Sequence, residues 1–380
     1  MAKELSVNEV LDKLQSGKMN RRQFTKALAA FGIGIMASPL LPGMARAEAA
    51  DQPTYFTWGG WNDPKYFEDY IAKHGEPPNF ATYGSSSEGF TKMRAGFVVD
   101  LVHPCSSEVH RWVSSGLFQP IDTSKLSNWK DVIPELWNHD ANVIEDGNPY
   151  FAPFDWGQTS FAYRTDLFDL QGKEESWGML WDERYKQKIS IIGAAGEAWW
   201  TTAIYAGIPF KEMATKANMD KVAALLRKQR PLVRTYTQTA VEWEQALVSG
   251  EVVAAMCWNS TPIEVQKAGV KDIKFANPKE GALTWVCGFM MHKDAPHLDL
   301  AYELLDSLLG YKRSLQLVRD ENYGCPNRKA LQAVPEVELN AIGLSQDADK
   351  ILKAGKFQIP MGEKFEHDSN KLMEEIKAGF

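Results

Sequence analysis

Apolar and polar positions along this chain alternate in two rhythms, one of period two and one repeating every three or four residues. Thr54-Tyr55-Phe56-Thr57-Trp58 is a β-prone run that ends at Gly59-Gly60, a strand entering a turn. Residues 62–75 set Tyr66, Phe67, Tyr70 and Ile71 at helical spacing. Asn79 to Tyr83 predicts a second strand, and Ser85-Ser86-Ser87-Glu88 a helix start with capping hydroxyls. Val98 to Val102 predicts a third strand that stops at Pro104. The alternation recurs later: strand 189–192, helix 197–205, helix 240–250 running into strand 252–258, strand 284–292, then helices over 299–309 and 311–319. Tyr150 to Gly157 reads as an extended linker between the two blocks.

Strand–helix alternation of this kind builds a parallel sheet covered on both faces, so the fold class is α/β. The 380 residues are many for one core and sufficient for two lobes. The expected fold is a two-lobed, type II-like binding-protein architecture, with extended crossings between lobes and a cleft where the strands end. The first lobe is expected over 51–154 plus about 286–325, the second over 155–285 plus about 326–380. Trp58, Cys105 and Trp258 each stand just past a predicted strand end, where a cleft would need them, although a strand-end aromatic also serves plain packing.

Asn20-Arg21-Arg22-Gln23-Phe24-Thr25-Lys26 precedes a moderately apolar stretch from Ala27 to Leu41, followed by Ala45-Arg46-Ala47. Paired arginines, a weak apolar core and a small-x-small site define a twin-arginine export signal over 1–47, cleaved near Ala47. The chain is therefore expected in the periplasm. Beyond residue 47 it carries a net charge of about −11, against −7 for the whole sequence. That disfavours nucleic acid and anionic membrane as partners.

Cys105, Cys257, Cys287 and Cys325 enter an oxidising compartment, where one or two disulfides are expected in a pairing that the sequence leaves open. Cys257–Cys287, expected in adjacent strands, is one candidate, and small apolar filling is the alternative. The seven histidines show no metal-ligand spacing, and neither a cofactor nor a metal site is expected. No nucleophile elbow, Walker loop or dinucleotide fingerprint is present. The rival reading, a periplasmic enzyme, would have to use Cys105 as nucleophile with His103 or His110.

Several segments together resemble the spermidine/putrescine-binding proteins of ABC importers. They are Tyr55-Phe56-Thr57-Trp58, Val99-Asp100-Leu101-Val102-x-Pro104, Ser176-Trp177-x-x-Leu180-Trp181, Gly250-Glu251-Val252, Cys257-Trp258-Asn259-Ser260, Pro278-Lys279-Glu280-Gly281, Trp285 and Tyr323-Gly324-x-Pro326-Asn327. No segment is specific alone; their order and spacing are. The resemblance implies a monomer that closes on its ligand and presents it to a permease in the inner membrane. It also implies ligand contacts at Trp58, Trp61, Glu197, Trp258, Trp285, Tyr323 and Gln358, with Cys105 and Cys287 at family cleft positions. The departures are Gly60, Ala194 and Cys287, where the family has acids, and Cys105 and Ser107, where it has Ser and Tyr.

Retained indoles beside a single matched acid, Glu197, point to a small organic cation with one cationic head. A quaternary ammonium would suit the indole walls by cation–π attraction. A zwitterionic ω-amino acid would need a carboxylate donor, for which Arg234 is the candidate. A true polyamine ligand stays open if Glu108, Asp63 or Asp155 turns inward.

Overall fold

A computed structural model of the protein describes residues 52–380. The expected export signal lies outside the described residues. Thirteen strands are described: β1 (Thr54–Trp58), β2 (Asn79–Tyr83), β3 (Leu101–Val102), β4 (Phe118–Gln119), β5 (Ile144–Glu145), β6 (Asn148–Pro149), β7 (Ala152–Arg164), β8 (Ile189–Ile192), β9 (Val233–Thr237), β10 (Ala254–Trp258), β11 (Ile273–Phe275), β12 (Leu283–His292) and β13 (Lys356–Phe357). All but the β5–β6 hairpin join one curled sheet, in the order β2-β1-β3-β12-β7-β10-β8-β9, with β4 and β13 on β12 and β11 on β7.

Two long strands connect two hydrophobic cores. Phe154 and Trp156 of β7 pack in the first core with Tyr55, Phe56 and Trp112; Phe161 and Tyr163, further along the same strand, pack in the second with Trp177, Trp199 and Trp243. In β12, Leu283 belongs to the second core, and Val286 and Phe289 to the first. The segment expected as a linker over 150–157 is thus largely the first half of β7. Its backbone is paired antiparallel with β12 from Ala152↔Phe289 to Thr159↔Leu283, which satisfies groups a linker would leave to water. A bulge at Phe154, between the pairs Pro153↔Gly288 and Asp155↔Cys287, sharpens the twist within the first lobe, just before the strands cross.

Local signals explain the flanking elements. Ser85 caps the helix Ser86–Arg94 by accepting from Glu88 N at 3.2 Å. The helix expected over 62–75 starts as a 3-10 turn, Pro64–Phe67, under an Asp63 cap, and continues as Glu68–His74 until Gly75 at φ 83° ends it. The third strand is only Leu101–Val102, because pairing with β1 is confined to those two residues. The C-terminal side chains from Ala330 to Leu352, expected with the second lobe, pack in the first core, whereas Phe365, Met373 and Ile376 pack in the second.

A third contact fastens β7. Trp156 and Gly324 exchange backbone hydrogen bonds of 3.0 and 2.7 Å, and Trp156 Nε1 donates to Cys325 O at 2.9 Å. A Cβ at residue 324 would meet the Trp156 ring at 2.5 Å (Cδ2 and Nε1). Gly324→Ala is predicted to cost about 1–3 kcal/mol through overpacking, read as a lower denaturation midpoint with unchanged m-value. An unchanged midpoint would show that the ring can move aside.

Candidate functional site

The floor of one cleft is a single face of three adjacent strands. Across β10, β7 and β12, Trp258 stands opposite Thr159, Trp285 opposite Gly157 and Cys287 opposite Asp155. Residues 155, 157 and 159 share a face because side chains alternate along a strand. Phe154 and Trp156 point the other way, into the first core. Gly157 leaves the room that Trp285 fills: a Cβ there would lie 2.5 Å from Trp285 Cζ2.

Aromatic rings continue from this floor. Trp243, Trp258, Trp285 and Tyr323 meet edge to face in sequence, with centroids 5.2, 6.5 and 5.2 Å apart. From the first lobe, Trp58 ends β1 against Tyr83 at 4.7 Å, and Trp61 rests on His103 and Phe154 at 5.5 and 5.7 Å. The cleft so enclosed measures about 450 Å³ and is lined by Trp58, Gly59, Trp61, Ser86, Cys105, Ser107, Asp155, Glu197, Trp258, Trp285, Cys287, Tyr323 and Gln358. Among the described residues its lining holds two carboxylates and neither lysine nor arginine.

Glu197 sits in the first turn of the helix Ala195–Tyr205, which follows β8, so the helix dipole favours its negative charge. Its Oε1 accepts from Trp258 Nε1 at 2.8 Å and from the Thr159 hydroxyl at 3.1 Å. Burial nevertheless pushes its carboxyl above the usual range, and the two donors only partly offset that. Burial also pushes the Tyr323 phenol up to about 12, so it stays neutral. Asp155, nearly buried, accepts from His103 Nε2 at 2.9 Å through Oδ1.

Nine of the residues expected from the sequence therefore meet in one cleft: Trp58, Trp61, Cys105, Glu197, Trp258, Trp285, Cys287, Tyr323 and Gln358. Arg234 does not join them. It lies exposed on the edge strand β9, three strand positions from β7, and its Nε donates to Glu251 Oε1 at 2.8 Å. Asp63 caps a surface turn, and Glu108 pairs with Arg111. Asp155 is the acid that faces inward. Its signal was the alternation Asp155-x-Gly157-x-Thr159, concealed when the segment was read as a linker.

The cysteines differ from the candidate pairing. Cys105 is bonded to Cys287, and Cys257 and Cys325 are free and buried. Cys257 and Cys287 are not on adjacent strands: β7 lies between, and Cys257 pairs with Ser160, facing away from the cleft. The disulfide also removes the thiol that an enzyme reading of Cys105 required. His103 turns from it to Asp155 and Tyr55.

A sheet curled around two cores, with its aromatic and acidic side chains gathered in the cleft, is the form of a solute-binding protein. The family model for bacterial extracellular solute-binding proteins matches residues 65–344, and the chain belongs to that family. The spermidine/putrescine-binding periplasmic protein of Salmonella typhimurium is 26% identical over 353 residues, covering 91% of this chain and 97% of that one. The putrescine-binding periplasmic protein of Escherichia coli is 27% identical over 294 residues, covering 73% and 78%. The fold matches a spermidine/putrescine ABC transporter substrate-binding protein from Streptococcus pneumoniae with TM-score 0.74 at 19% identity, covering 86% of this chain and 99% of that one. Among the described residues no helix is long and apolar enough to cross a membrane.

Two outcomes are expected of this geometry. Alkylating the denatured, unreduced protein is predicted to label two thiols, Cys257 and Cys325, and all four after reduction; labels on Cys105 or Cys287 before reduction would contradict the pairing. Glu197 bears on stability. With its folded-state pKa raised, the group's stabilising contribution is complete below the unfolded value of about 4.3 and is lost as pH rises through the folded value. Glu197→Gln keeps the acceptor oxygen without the charge. The ligand-free variant is predicted to melt above the wild type at neutral pH, with the difference shrinking towards pH ~4. A difference independent of pH would contradict this.

Proposed function

We propose that the protein is the periplasmic solute-binding component of an ABC importer for a small organic cation. The observation that carries this reading is the lining of one cleft by four indoles, a tyrosine and two carboxylates, with no basic side chain among the described residues. A cation leaving water needs partners, because an unpaired buried charge costs several kcal/mol. Each indole face offers about 0.5–2 kcal/mol, and a carboxylate bonded to an ammonium offers more. The relatives named for spermidine and putrescine support an amine as the ligand class.

The lining bears on the choice among cations. An ω-amino acid would bring a carboxylate, and its candidate partner Arg234 is engaged with Glu251 on the far edge of the sheet. A single cationic head, quaternary or methylated, would lie against the indoles with Glu197 as its counter-charge. A diamine becomes a competitor once Asp155 is counted as a lining acid. Closure of the two lobes on the ligand would produce the form that the membrane permease accepts.

Calorimetric titration and thermal shift against putrescine, spermidine, choline, glycine betaine and γ-aminobutyrate test the reading. A true ligand at a hundred times its dissociation constant is predicted to stabilise by about 2.7 kcal/mol. Trp285→Ala is predicted to weaken it about 3- to 30-fold. Affinity is predicted to fall as pH drops through the raised Glu197 pKa, since protonation removes the counter-charge, and Glu197→Gln should flatten that profile. Binding of anions or neutral sugars in place of these cations would overturn the proposal.

A further inference from the structure

We propose that Asp155 is a specificity-determining carboxylate that takes over, from the neighbouring strand, the role of an acid at position 287, so that the cleft grips a second cationic end of its ligand. This rests on the reading of the cleft as a cation site. Position 287 is closed to that role, because Cys287 is bonded to Cys105. Asp155 is its direct antiparallel partner, and directly opposed side chains lie about 5 Å apart on the same face. A carboxylate moved across that pair stays at the same height in the cleft.

The surroundings hold Asp155 in place and leave one of its oxygens available. Oδ1 is engaged by His103 Nε2 at 2.9 Å, whereas Oδ2 has no hydrogen-bond partner among the described residues. Behind the ring, His103 Nδ1 lies 3.0 Å from the Tyr55 hydroxyl, which accepts from Thr57 Oγ1 at 3.0 Å. One tautomer satisfies every member: Thr57 donates to Tyr55, Tyr55 to Nδ1, and Nε2–H to Asp155. In this arrangement Nε2–H fixes one carboxylate oxygen and leaves the other directed to the cleft. Such a rigid carboxylate acceptor lining the cleft is suited to an ammonium group.

Strand geometry sets the ligand's length. Asp155 and Thr159, the residue that holds Glu197, are four positions apart on β7, which at ~3.4 Å per residue places them about 14 Å apart along the strand. Two charge-assisted hydrogen bonds of about 2.8 Å leave roughly 8 Å between cationic centres. That is the span of an extended aliphatic chain of about four to six carbons. Trp285, opposite Gly157, lies between the two acids along this path, where it would cover the methylenes, and Trp258, opposite Thr159, stands at the Glu197 end.

The test compares matched ligands on the purified protein by calorimetry: putrescine against n-butylamine, and cadaverine against n-pentylamine. The wild type is predicted to bind each diamine at least tenfold more tightly than its monoamine. Asp155→Asn is predicted to lower diamine affinity about 10- to 100-fold and to bring the ratio towards one. Where that variant fails to fold, the double variant D155N/H103Q, which pairs amide with amide, takes its place. A wild-type ratio near one, or a ratio that survives loss of the acid in a folded variant, overturns the role of Asp155. If no amine binds the wild type at millimolar concentration, the cation reading itself fails. If amines bind in a Glu197-dependent way but Asp155 makes no difference, only the present inference fails.

Discussion

The antiparallel pairing of β7 with β12 is the constraint on which the rest of the structure depends. From Ala152↔Phe289 to Thr159↔Leu283 it joins two cores that otherwise belong to separate lobes. One face of the pair, with Trp156 and Val286, helps to build the first core. Its other face, with Asp155, Gly157, Thr159, Trp285 and Cys287, forms the cleft floor. A slip of one residue would exchange these faces, turning the acid into the core and the Trp156 indole into the cleft. Gly288 permits the register: a Cβ there would run into Ala152 O and the Phe151 ring.

The electrostatic character follows from that pairing. Glu197 comes from a helix start in the second lobe and is held by a β7 hydroxyl and a β10 indole. Asp155 comes from β7 itself and is braced by His103 at the end of β3. The burial that raises the Glu197 pKa disfavours its charged form in the empty protein, and a cation entering the cleft, as proposed, would relieve it. The same group would thereby link pH, stability and occupancy. Arg313 supports the first-lobe wall from behind, its guanidinium 4.3 Å from the Tyr66 ring centroid and 5.9 Å from that of Trp61.

Much of this was legible in the sequence, for identifiable reasons. Trp58 and Trp258 are strand-end residues, Glu197 opens a helix after a strand, and short-range patterning locates such positions. Resemblance to a family then supplied Trp285, Tyr323 and Gln358, which local pattern alone could not join to them. Asp155, the Cys105–Cys287 bond and the position of Arg234 depend on sheet order and long-range register, which periodicity does not encode. Cys105 and Cys287 are 182 residues apart and meet only because β12 passes between β3 and β7. Arg234 failed because β9 is the far edge of the sheet. Phe154-Asp155-Trp156 had the alternation of a strand, but its strongly apolar neighbours hid the single acid between two core rings.

The central claim is that both ends of a small cationic ligand are held in this one cleft. A crystal structure of the protein grown with saturating cadaverine tests it most directly. The account predicts one nitrogen within hydrogen-bond distance of Glu197, the other within reach of Asp155 Oδ2, and methylenes against Trp258 and Trp285. An amine lying outside the cleft, or one whose second nitrogen points to solvent away from Asp155, would contradict it.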